Sequence, residues 1–353
     1  MFKSSLQAVT KSRSILGFQP KRKVLVILVD GMGAENILAR AGHAPRLASA
    51  ISAGATSYSS FPSTTSTNIA SFATGLEPGE TGFIGQVVLD ASFDRSLNLL
   101  NGWTTETDPL LWQPHQTISE LASELGVACN VIAAHEYRDT GFTTATMRGA
   151  SFHGVDSLED RFTKALELLS ASEDSINYLY VPELDKFGHL NGWEGPGWSL
   201  LLEEIAALID RLTTKIPLDA GVVVTADHGM LDTSEDLKFE LMPLLSPFDV
   251  KFVGGDTRAT YVYLNDASSA QRVCNEIGTN QAFSVHLAAD VANWLGPISA
   301  SALQRMPDLV LLARGSFTLY HEHFSKPKSY RMVAHHGGLT NQELRIPLIR
   351  FGI

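Results

Sequence analysis

Acidic and imidazole side chains directly follow three apolar, strand-like segments of the sequence. The segments and the side chains after them are Lys23–Val29 with Asp30, Asn177–Val181 with Asp185 and His189, and Gly221–Ala226 with Asp227 and His228. In α/β sheets, ligands bind beyond the carboxyl ends of the strands, so these groups are expected to share one site. A single Asp-Gly or Asp-His-Gly sequence is typical of a turn. Several buried acids and imidazoles together, however, would stay unsatisfied unless cations bound them. Oxygen and nitrogen donors without thiolates suit zinc, manganese or a similar divalent ion.

A segment rich in hydroxyl groups, Phe61–Asn68, precedes a stretch that ends at Gly75. Ser and Thr favour the first residues of a helix and Gly favours its end, so the segment predicts a helix start. One interpretation is a helix N-terminus with more capping groups than it needs. The other is a nucleophilic hydroxyl where backbone N–H groups and the helix dipole attract an anion. A free Thr hydroxyl is a poor nucleophile, and a divalent metal would lower its pKa enough for reaction.

Paired histidines, His335 and His336, stand before Gly337 and Gly338 near the end of the sequence. Histidine pairs in such a position are often surface residues. Here two glycines and a final strand follow, which indicates that the backbone closely approaches another part of the molecule.

In their order along the chain, these motifs resemble those of the alkaline phosphatase superfamily, and of its type I phosphodiesterase/nucleotide pyrophosphatase branch in particular. The motifs that carry the resemblance are Asp30-Gly-Met, Phe61-Pro-Ser-Thr-Thr-Ser-Thr-Asn68, Asp185-x-x-x-His189, Asp227-His228-Gly-Met and His336-Gly-Gly. The resemblance spans residues 23–350, nearly the whole chain. It implies an α/β fold whose mostly parallel central sheet is covered by helices on both faces.

The resemblance also implies a reaction and the residues that carry it out. Two divalent metal ions, usually zinc in this branch and with manganese as the other candidate, would be bound by two groups of side chains. The first group is Asp30, Thr65, Asp227 and His228, and the second is Asp185, His189 and His336. Thr65 matches the nucleophile that forms a phospho-threonine, Thr64 is the neighbour to be excluded, and Asn68 matches an amide that holds a phosphoryl oxygen. His336 is preferred to His335 because it directly precedes the two glycines.

Three positions depart from the pattern of that branch. Thr64 replaces the Lys that often precedes the nucleophile, Thr67 replaces a Pro, and Gly-Gly rather than Gly-Tyr follows His336. These departures weaken the prediction that the substrate is a nucleotide. A sulfatase is disfavoured because no Cys-x-Pro-x-Arg sequence lies near Thr65. A cofactor-independent phosphoglycerate mutase is disfavoured because the chain is too short for its large second domain.

Three functions remain open on the sequence. The leading hypothesis is a metal-dependent phosphodiesterase or nucleotide pyrophosphatase, followed by a phosphomonoesterase on the same scaffold and by a non-enzymatic, degenerate family member. A diesterase needs an apolar or aromatic slot for the second ester group, whereas a monoesterase needs extra cationic donors. Trp193 and Trp198 either line such a slot or, as we favour, pack beneath the site. Arg148, Arg258 and Arg331 are expected to be surface residues.

Apolar, strand-like runs alternate with amphipathic segments along the chain, which predicts an α/β fold with a largely parallel sheet. The clearest helix is predicted at Gly197–Ile216, where apolar residues recur with a helical period. Residues 23–235 and 301–353 are expected to form the catalytic core, and residues 236–300 a small α/β insertion or cap. Residues 1–22 form a basic segment without acidic residues, typical of a transit peptide or of a solvated tail.

Composition narrows the classes of partner. The 353 residues include 38 acidic and 27 basic side chains, a net charge of -11. Such a surface repels nucleic acid phosphates, so no stable nucleic acid complex is expected. The expected partner is a small phosphate ester, with a nucleotide as one candidate. No apolar run reaches the ~20 residues of a membrane span. The two cysteines, Cys129 and Cys274, are expected to be reduced core residues. We expect a cytoplasmic protein, and the oligomeric state stays open.

Overall fold

The computed structural model describes all 353 residues. The β-strands are β1 Lys23–Val29, β2 Thr56–Tyr58, β3 Val87–Asp90, β4 Arg95–Asn98, β5 Ala128–Ala133, β6 Ser151–Gly154, β7 Ser175–Val181, β8 Ala220–Thr225, β9 Leu231–Asp232, β10 Lys238–Glu240, β11 Val250–Gly255, β12 Ala259–Leu264, β13 Phe283–Leu287, β14 Leu309–Ala313, β15 Thr318–Tyr320, β16 Ala334–His335 and β17 Arg345–Phe351. The α-helices are α1 Phe2–Val9, α2 Ala34–Ala39, α3 Pro45–Ser52, α4 Thr65–Thr74, α5 Pro78–Thr81, α6 Pro109–Trp112, α7 Ile118–Glu124, α8 Gly141–Met147, α9 Leu158–Ser170, α10 Glu183–Asn191, α11 Pro196–Thr213, α12 Met242–Leu245, α13 Ala270–Ile277, α14 Ala288–Leu295, α15 Ala300–Leu303 and α16 Asn341–Leu344.

Seven strands form the central sheet, in the order β2-β17-β8-β1-β7-β5-β6. The five strands β8, β1, β7, β5 and β6 are parallel, and β17 and β2 extend the sheet in antiparallel pairing. Every residue of β1 is buried, because helices cover both faces of the sheet. Leu25 and Ile27 pack into one core cluster with Ile205 of α11, whereas Val26 packs into a second cluster on the other face, with Phe2 of α1. The predicted α/β fold with a mostly parallel, doubly covered sheet is confirmed.

The first residues of the chain form a packed helix rather than a solvated tail. Phe2, Leu6 and Val9 of α1 are buried against the central sheet and its neighbouring helices. Their spacing of four and three residues puts them on one helical face, which leaves Lys3 exposed on another. The aromatic ring of Phe2 stacks on Phe72 of α4, with ring centroids 4.7 Å apart. The basic composition of residues 1–22 conceals this apolar stripe.

A second, antiparallel sheet of six strands lies beside the first, in the order β13-β14-β12-β11-β3-β4. Residues 236–300 supply β11, β12 and β13, but β3, β4 and β14 come from outside that range. The segment therefore shares its sheet with two other stretches of the chain. The division into domains stays a prediction.

No helix is long and apolar enough to cross a membrane. Both cysteines are free, with Cys129 buried in β5 and Cys274 half-buried on α13.

Candidate active site

Three neighbouring strands of the central sheet, β8, β1 and β7, bring the predicted acids and imidazoles to one edge. Asp30 follows β1, Asp227 and His228 follow β8, and Asp185 lies in the first turn of α10 after β7. His189 stands one helical turn after Asp185, on the same face of α10. The position of these groups is a consequence of parallel pairing, because the carboxyl ends of adjacent parallel strands point in the same direction.

The first group of side chains surrounds the imidazole of His228. Its Nε2 atom lies 3.4 Å from Asp30 Oδ1 and 3.4 Å from Asp227 Oδ2. The Thr65 hydroxyl oxygen, Oγ1, lies 3.1 Å from the same nitrogen. Asp30, Asp227 and His228 are buried and each offers an atom within 4.8 Å of the others, as a metal ion requires.

The second group surrounds the carboxylate of Asp185. Its Oδ2 atom lies 3.3 Å from His189 Nε2, and its Oδ1 atom lies 3.7 Å from His336 Nε2. The rings of His336 and His228 stack with centroids 3.5 Å apart, so the two groups adjoin. The structure thus brings together all seven side chains that the sequence assigns to the metals.

Backbone carbonyl groups orient the three imidazoles. The Nδ1 atoms of His189, His228 and His336 donate to carbonyl oxygens of Ala334, Gly229 and Ser63, at 2.8, 3.1 and 2.8 Å. This bond fixes the tautomer and directs the Nε2 lone pair into the site, as is usual for metal ligands. Burial lowers the pKa of His228 to about 4 and that of His336 well below its usual value, so both rings are neutral at pH 7.

The carboxylates give the strongest indication that the site can hold cations. Asp30 Oδ1, Asp185 Oδ1 and Asp227 Oδ2 are buried and lack any hydrogen-bond partner. Burial and the neighbouring acids raise the pKa of Asp30, and burial together with Asp185 raises that of Asp227 to about 7. Burial opposes ionisation of Asp185 as well, but the adjacent His189 and His336 outweigh it and lower its pKa.

An unpartnered buried polar atom costs about 1–3 kcal/mol, and more when it is charged. The combined free-energy cost of three such oxygens approaches the whole stability of a typical domain, about 5–15 kcal/mol. Divalent cations would satisfy all three, and the donor set of carboxylates, imidazoles and one hydroxyl fits zinc or manganese. The side chains present therefore fit the two-metal centre that the sequence predicts.

Among the hydroxyls of the Phe61–Asn68 segment, that of Thr65 faces the site. Thr65 is the first residue of α4, which ends at Gly75 in a left-handed conformation, as predicted. The Thr64 hydroxyl instead donates to Thr67 Oγ1 at 2.9 Å, and Ser66 donates to the carbonyl oxygen of Gly85. The backbone direction at the helix start thus separates Thr65 from its neighbours.

The amide of Asn68 is bonded to the backbone of the loop before α4, and the phosphoryl-binding role that the resemblance implies for it stays a prediction. Its Nδ2 atom donates to the carbonyl oxygens of Pro62 and Thr64, at 3.4 and 3.0 Å, and its Oδ1 atom accepts from the Ser60 N–H at 2.7 Å. Both amide protons are therefore engaged by the backbone. Asn68 stabilises the loop that presents Thr65, and a phosphoryl oxygen would have to displace one of these bonds.

The glycines after His336 allow close backbone approaches, as their sequence predicts. Gly337 has a φ of +124°, and a Cβ atom there would lie 3.3 Å from Asp256; one on Gly338 would lie 2.9 Å from the Glu343 carboxylate. His335 turns away from the metal groups and bonds through Nδ1 to Thr257 Oγ1 at 3.0 Å. The geometry thus favours His336 over His335.

A cavity of about 540 Å³ opens beside Thr65, Asp30 and Asp185. Its wall is mainly apolar and aromatic, and includes Tyr137, Phe142, Met147, Phe152, Tyr178 and Tyr180. Trp193 and Trp198 do not line it, since both are buried in the core below the sheet edge, with ring centroids 6.0 Å apart.

Several residues near the site escape prediction from sequence. The Tyr180 hydroxyl donates to Asp30 Oδ2 at 2.5 Å, and nothing local distinguishes this Tyr from any strand Tyr. Lys186 and Lys328 line the cavity. Arg258, expected on the surface, is completely buried in an ion pair with Glu343, because the second sheet covers it.

The model of the type I phosphodiesterase/nucleotide pyrophosphatase family matches residues 24–339. The chain belongs to this family. Membership confirms the predicted hydrolase acting on phosphoric esters. No curated protein sequence matches the chain.

Solved structures of the same family share its fold. Mouse ectonucleotide pyrophosphatase/phosphodiesterase 5 is 17% identical with a TM-score of 0.70, over 92% of this chain and 87% of that one. An inactive variant of the mouse protein in complex with AMP and the human ectonucleotide pyrophosphatase/phosphodiesterase 5 match with the same values. At 17% identity, this similarity shows a shared fold and no more.

Proposed function

We propose that this enzyme hydrolyses phosphodiester or pyrophosphate bonds through a phospho-threonine at Thr65, with two divalent cations, zinc foremost. The observation that carries the proposal is the position of the Thr65 hydroxyl, 3.1 Å from His228 Nε2. The same nitrogen lies 3.4 Å from each of two buried, unpartnered carboxylate oxygens, Asp30 Oδ1 and Asp227 Oδ2. Asp30, Thr65, Asp227 and His228 would hold one cation, and Asp185, His189 and His336 the other. Such cations lower the pKa of a coordinated hydroxyl and offset negative charge on the phosphoryl group.

The remaining chemistry belongs to the chain itself. The Thr65 hydroxyl proton passes to solvent water and Oγ1 bonds to phosphorus, while the bond from phosphorus to the leaving oxygen breaks and that oxygen takes up a proton from solvent water. A water oxygen then bonds to phosphorus as that water gives up one proton, the bond to Thr65 Oγ1 breaks, and Thr65 Oγ1 takes up one proton, so that the enzyme returns to its starting state. Because Thr65 begins α4, the free N–H groups of the first helical turn would lie near a phosphoryl group bonded to Thr65 Oγ1 and would favour its negative charge.

The cavity supports a diester rather than a monoester. Aromatic rings along its wall provide a surface for an organic second substituent, such as a nucleobase or other planar group. A monoester dianion would gain most from free cationic donors. Of the two lysines on the wall, Lys186 is paired with Glu136, 2.6 Å from it, which leaves Lys328 as the one ammonium available to such a dianion. The AMP bound to a variant of the mouse relative is itself a monoester, and it supports a nucleoside as one such organic substituent.

A paired assay tests the proposal. Bis-para-nitrophenyl phosphate and para-nitrophenyl phosphate are compared by kcat/KM, with zinc or manganese added and with Thr65→Ala as the control for contaminating phosphatases. We expect a clear preference for the diester that disappears in Thr65→Ala. Preference for the monoester would establish the phosphomonoesterase instead. Turnover of neither ester by metal-loaded protein would favour the non-enzymatic alternative.

A further inference from the structure

A fully buried ion pair joins the second sheet to the loop that carries His336. Arg258, which directly precedes β12, donates from Nε and Nη2 to the two carboxylate oxygens of Glu343, at 3.0 and 3.1 Å. Both side chains are 0% exposed. Burial of two charges is costly, and it is tolerated when every oxygen and proton has a partner.

The remaining acceptor capacity of Glu343 goes to the His336-Gly-Gly loop. Its Oε1 atom accepts from the Gly338 N–H at 2.8 Å, and its Oε2 atom accepts from the Thr340 hydroxyl at 2.7 Å. The same loop is held from its other side by Ser63, whose hydroxyl donates to the Gly338 carbonyl oxygen at 2.8 Å. Gly338 is therefore fixed from both directions, two residues after His336.

The backbone of Glu343 meets the other histidine loop. Its carbonyl oxygen accepts from the Gly229 N–H at 2.8 Å, directly after His228. One residue thus contacts both histidine loops, by its side chain on the His336 side and by its main chain on the His228 side. A side-chain substitution should disturb the first contact and spare the second.

We propose that Glu343, held in place by Arg258, is a positioning residue for the second cation, which Asp185, His189 and His336 would bind. The inference rests on the proposed function, since it assumes two bound cations. It also gives the second sheet a role at the active site, because Arg258 directly precedes β12 of that sheet. Residues one shell away from metal ligands commonly change metal affinity by about 10–100-fold.

The test is a titration of metal-free protein with Co²⁺, in which binding is monitored by the visible absorption of the bound Co²⁺ and by calorimetry. His189→Ala identifies the binding event of the second site, since that side chain belongs to the second group alone. Glu343→Gln replaces one carboxylate oxygen by an amide nitrogen, which cannot accept the hydrogen bonds that the carboxylate accepts from Arg258 and the His336 loop. We expect Co²⁺ affinity at the second site to fall about tenfold or more, with the first site unchanged within about twofold.

Asp219→Asn is the matched control for general destabilisation. It breaks an ion pair with the buried Lys23, 3.0 Å away, at the start of β1. That is the opposite end of the strand from Asp30, about 23 Å away for seven residues at about 3.3 Å each. We expect a lower melting temperature and unchanged affinity at both sites. Arg258→Lys keeps the charge but loses the two-point contact, and should weaken the second site less than Glu343→Gln does.

Equal weakening of both sites in Glu343→Gln, or none, would overturn the inference. If Glu343→Gln does not fold, Arg258→Lys is judged by the same criterion, which is a fall in Co²⁺ affinity at the second site without a fall at the first. A wild-type protein that binds two cations but hydrolyses no ester leaves the positioning role intact while refuting the proposed reaction. A wild-type protein that binds no cation refutes both.

Discussion

Replacing Thr65 by Ala tests the centre of the reaction. The substitution removes the attacking oxygen and one of four ligands of the first cation, whereas Asp30, Asp227 and His228 remain to hold that cation more weakly. Thr65 is the first residue of α4, but it is not the residue that caps the helix. We therefore expect a folded, metal-binding protein whose turnover of a diester falls at least about a thousandfold, equivalent to about 4 kcal/mol in the barrier.

Thr64→Ala is the matched neighbour, because it removes an equally buried hydroxyl one residue away. That hydroxyl donates to Thr67 Oγ1 and makes no bond to the helix N–H groups. Its loss should cost about 1 kcal/mol of stability and leave turnover within about tenfold of the wild type. Thr65→Ser keeps the hydroxyl with a less restricted rotamer, and should retain partial activity.

The assay is steady-state hydrolysis of bis-para-nitrophenyl phosphate by the three variants at matched cation loading. An inactive Thr64→Ala with an active Thr65→Ala would show that the nucleophile is misassigned by one residue. If both alanine variants turn over normally, no phospho-threonine forms at this segment, and the proposed mechanism is refuted.

Three further predictions concern the surroundings of Thr65. Cation removal should destabilise the protein increasingly as the pH rises from about 4 to about 7. Burial raises the pKa of Asp227 to about 7, so the folded metal-free state binds more protons in this range than the unfolded state does. Melting curves in which the difference between metal-free and metal-loaded protein does not change with pH would contradict this. Tyr180→Phe removes the hydrogen bond to Asp30 and should weaken the first cation site about tenfold in a Co²⁺ titration, with the fold intact. Asn68→Ala should lower the free energy of unfolding by about 1–3 kcal/mol, measured by thermal unfolding, with kcat nearly unchanged. A loss of a hundredfold or more in kcat would instead support a contact between the Asn68 amide and a phosphoryl oxygen.

Local sequence determines most of the central sheet and its chemistry. Continuous apolar runs such as Lys23–Val29 form strands that are buried on both faces, and polar groups at their carboxyl ends must emerge at one edge. The helix start at Thr65 and its end at Gly75 follow from hydroxyl and glycine chemistry alone. These features depend on short-range periodicity and on residue type, so a single sequence suffices to predict them. The metal, the substrate and the cytoplasmic location stay predictions.

Only the tertiary structure decides which groups meet across the chain. Arg258 and Glu343 are 85 residues apart and both lie outside any motif, yet they form the buried pair beside the His336 loop. Asn68 fits a family pattern by position, but the path of the loop before α4 directs its amide to Pro62 and Thr64. The aromatic cavity and the six-stranded second sheet likewise assemble from distant segments. Spacing along a sequence fixes which face of an element a side chain occupies, whereas its partners depend on how separate elements approach one another.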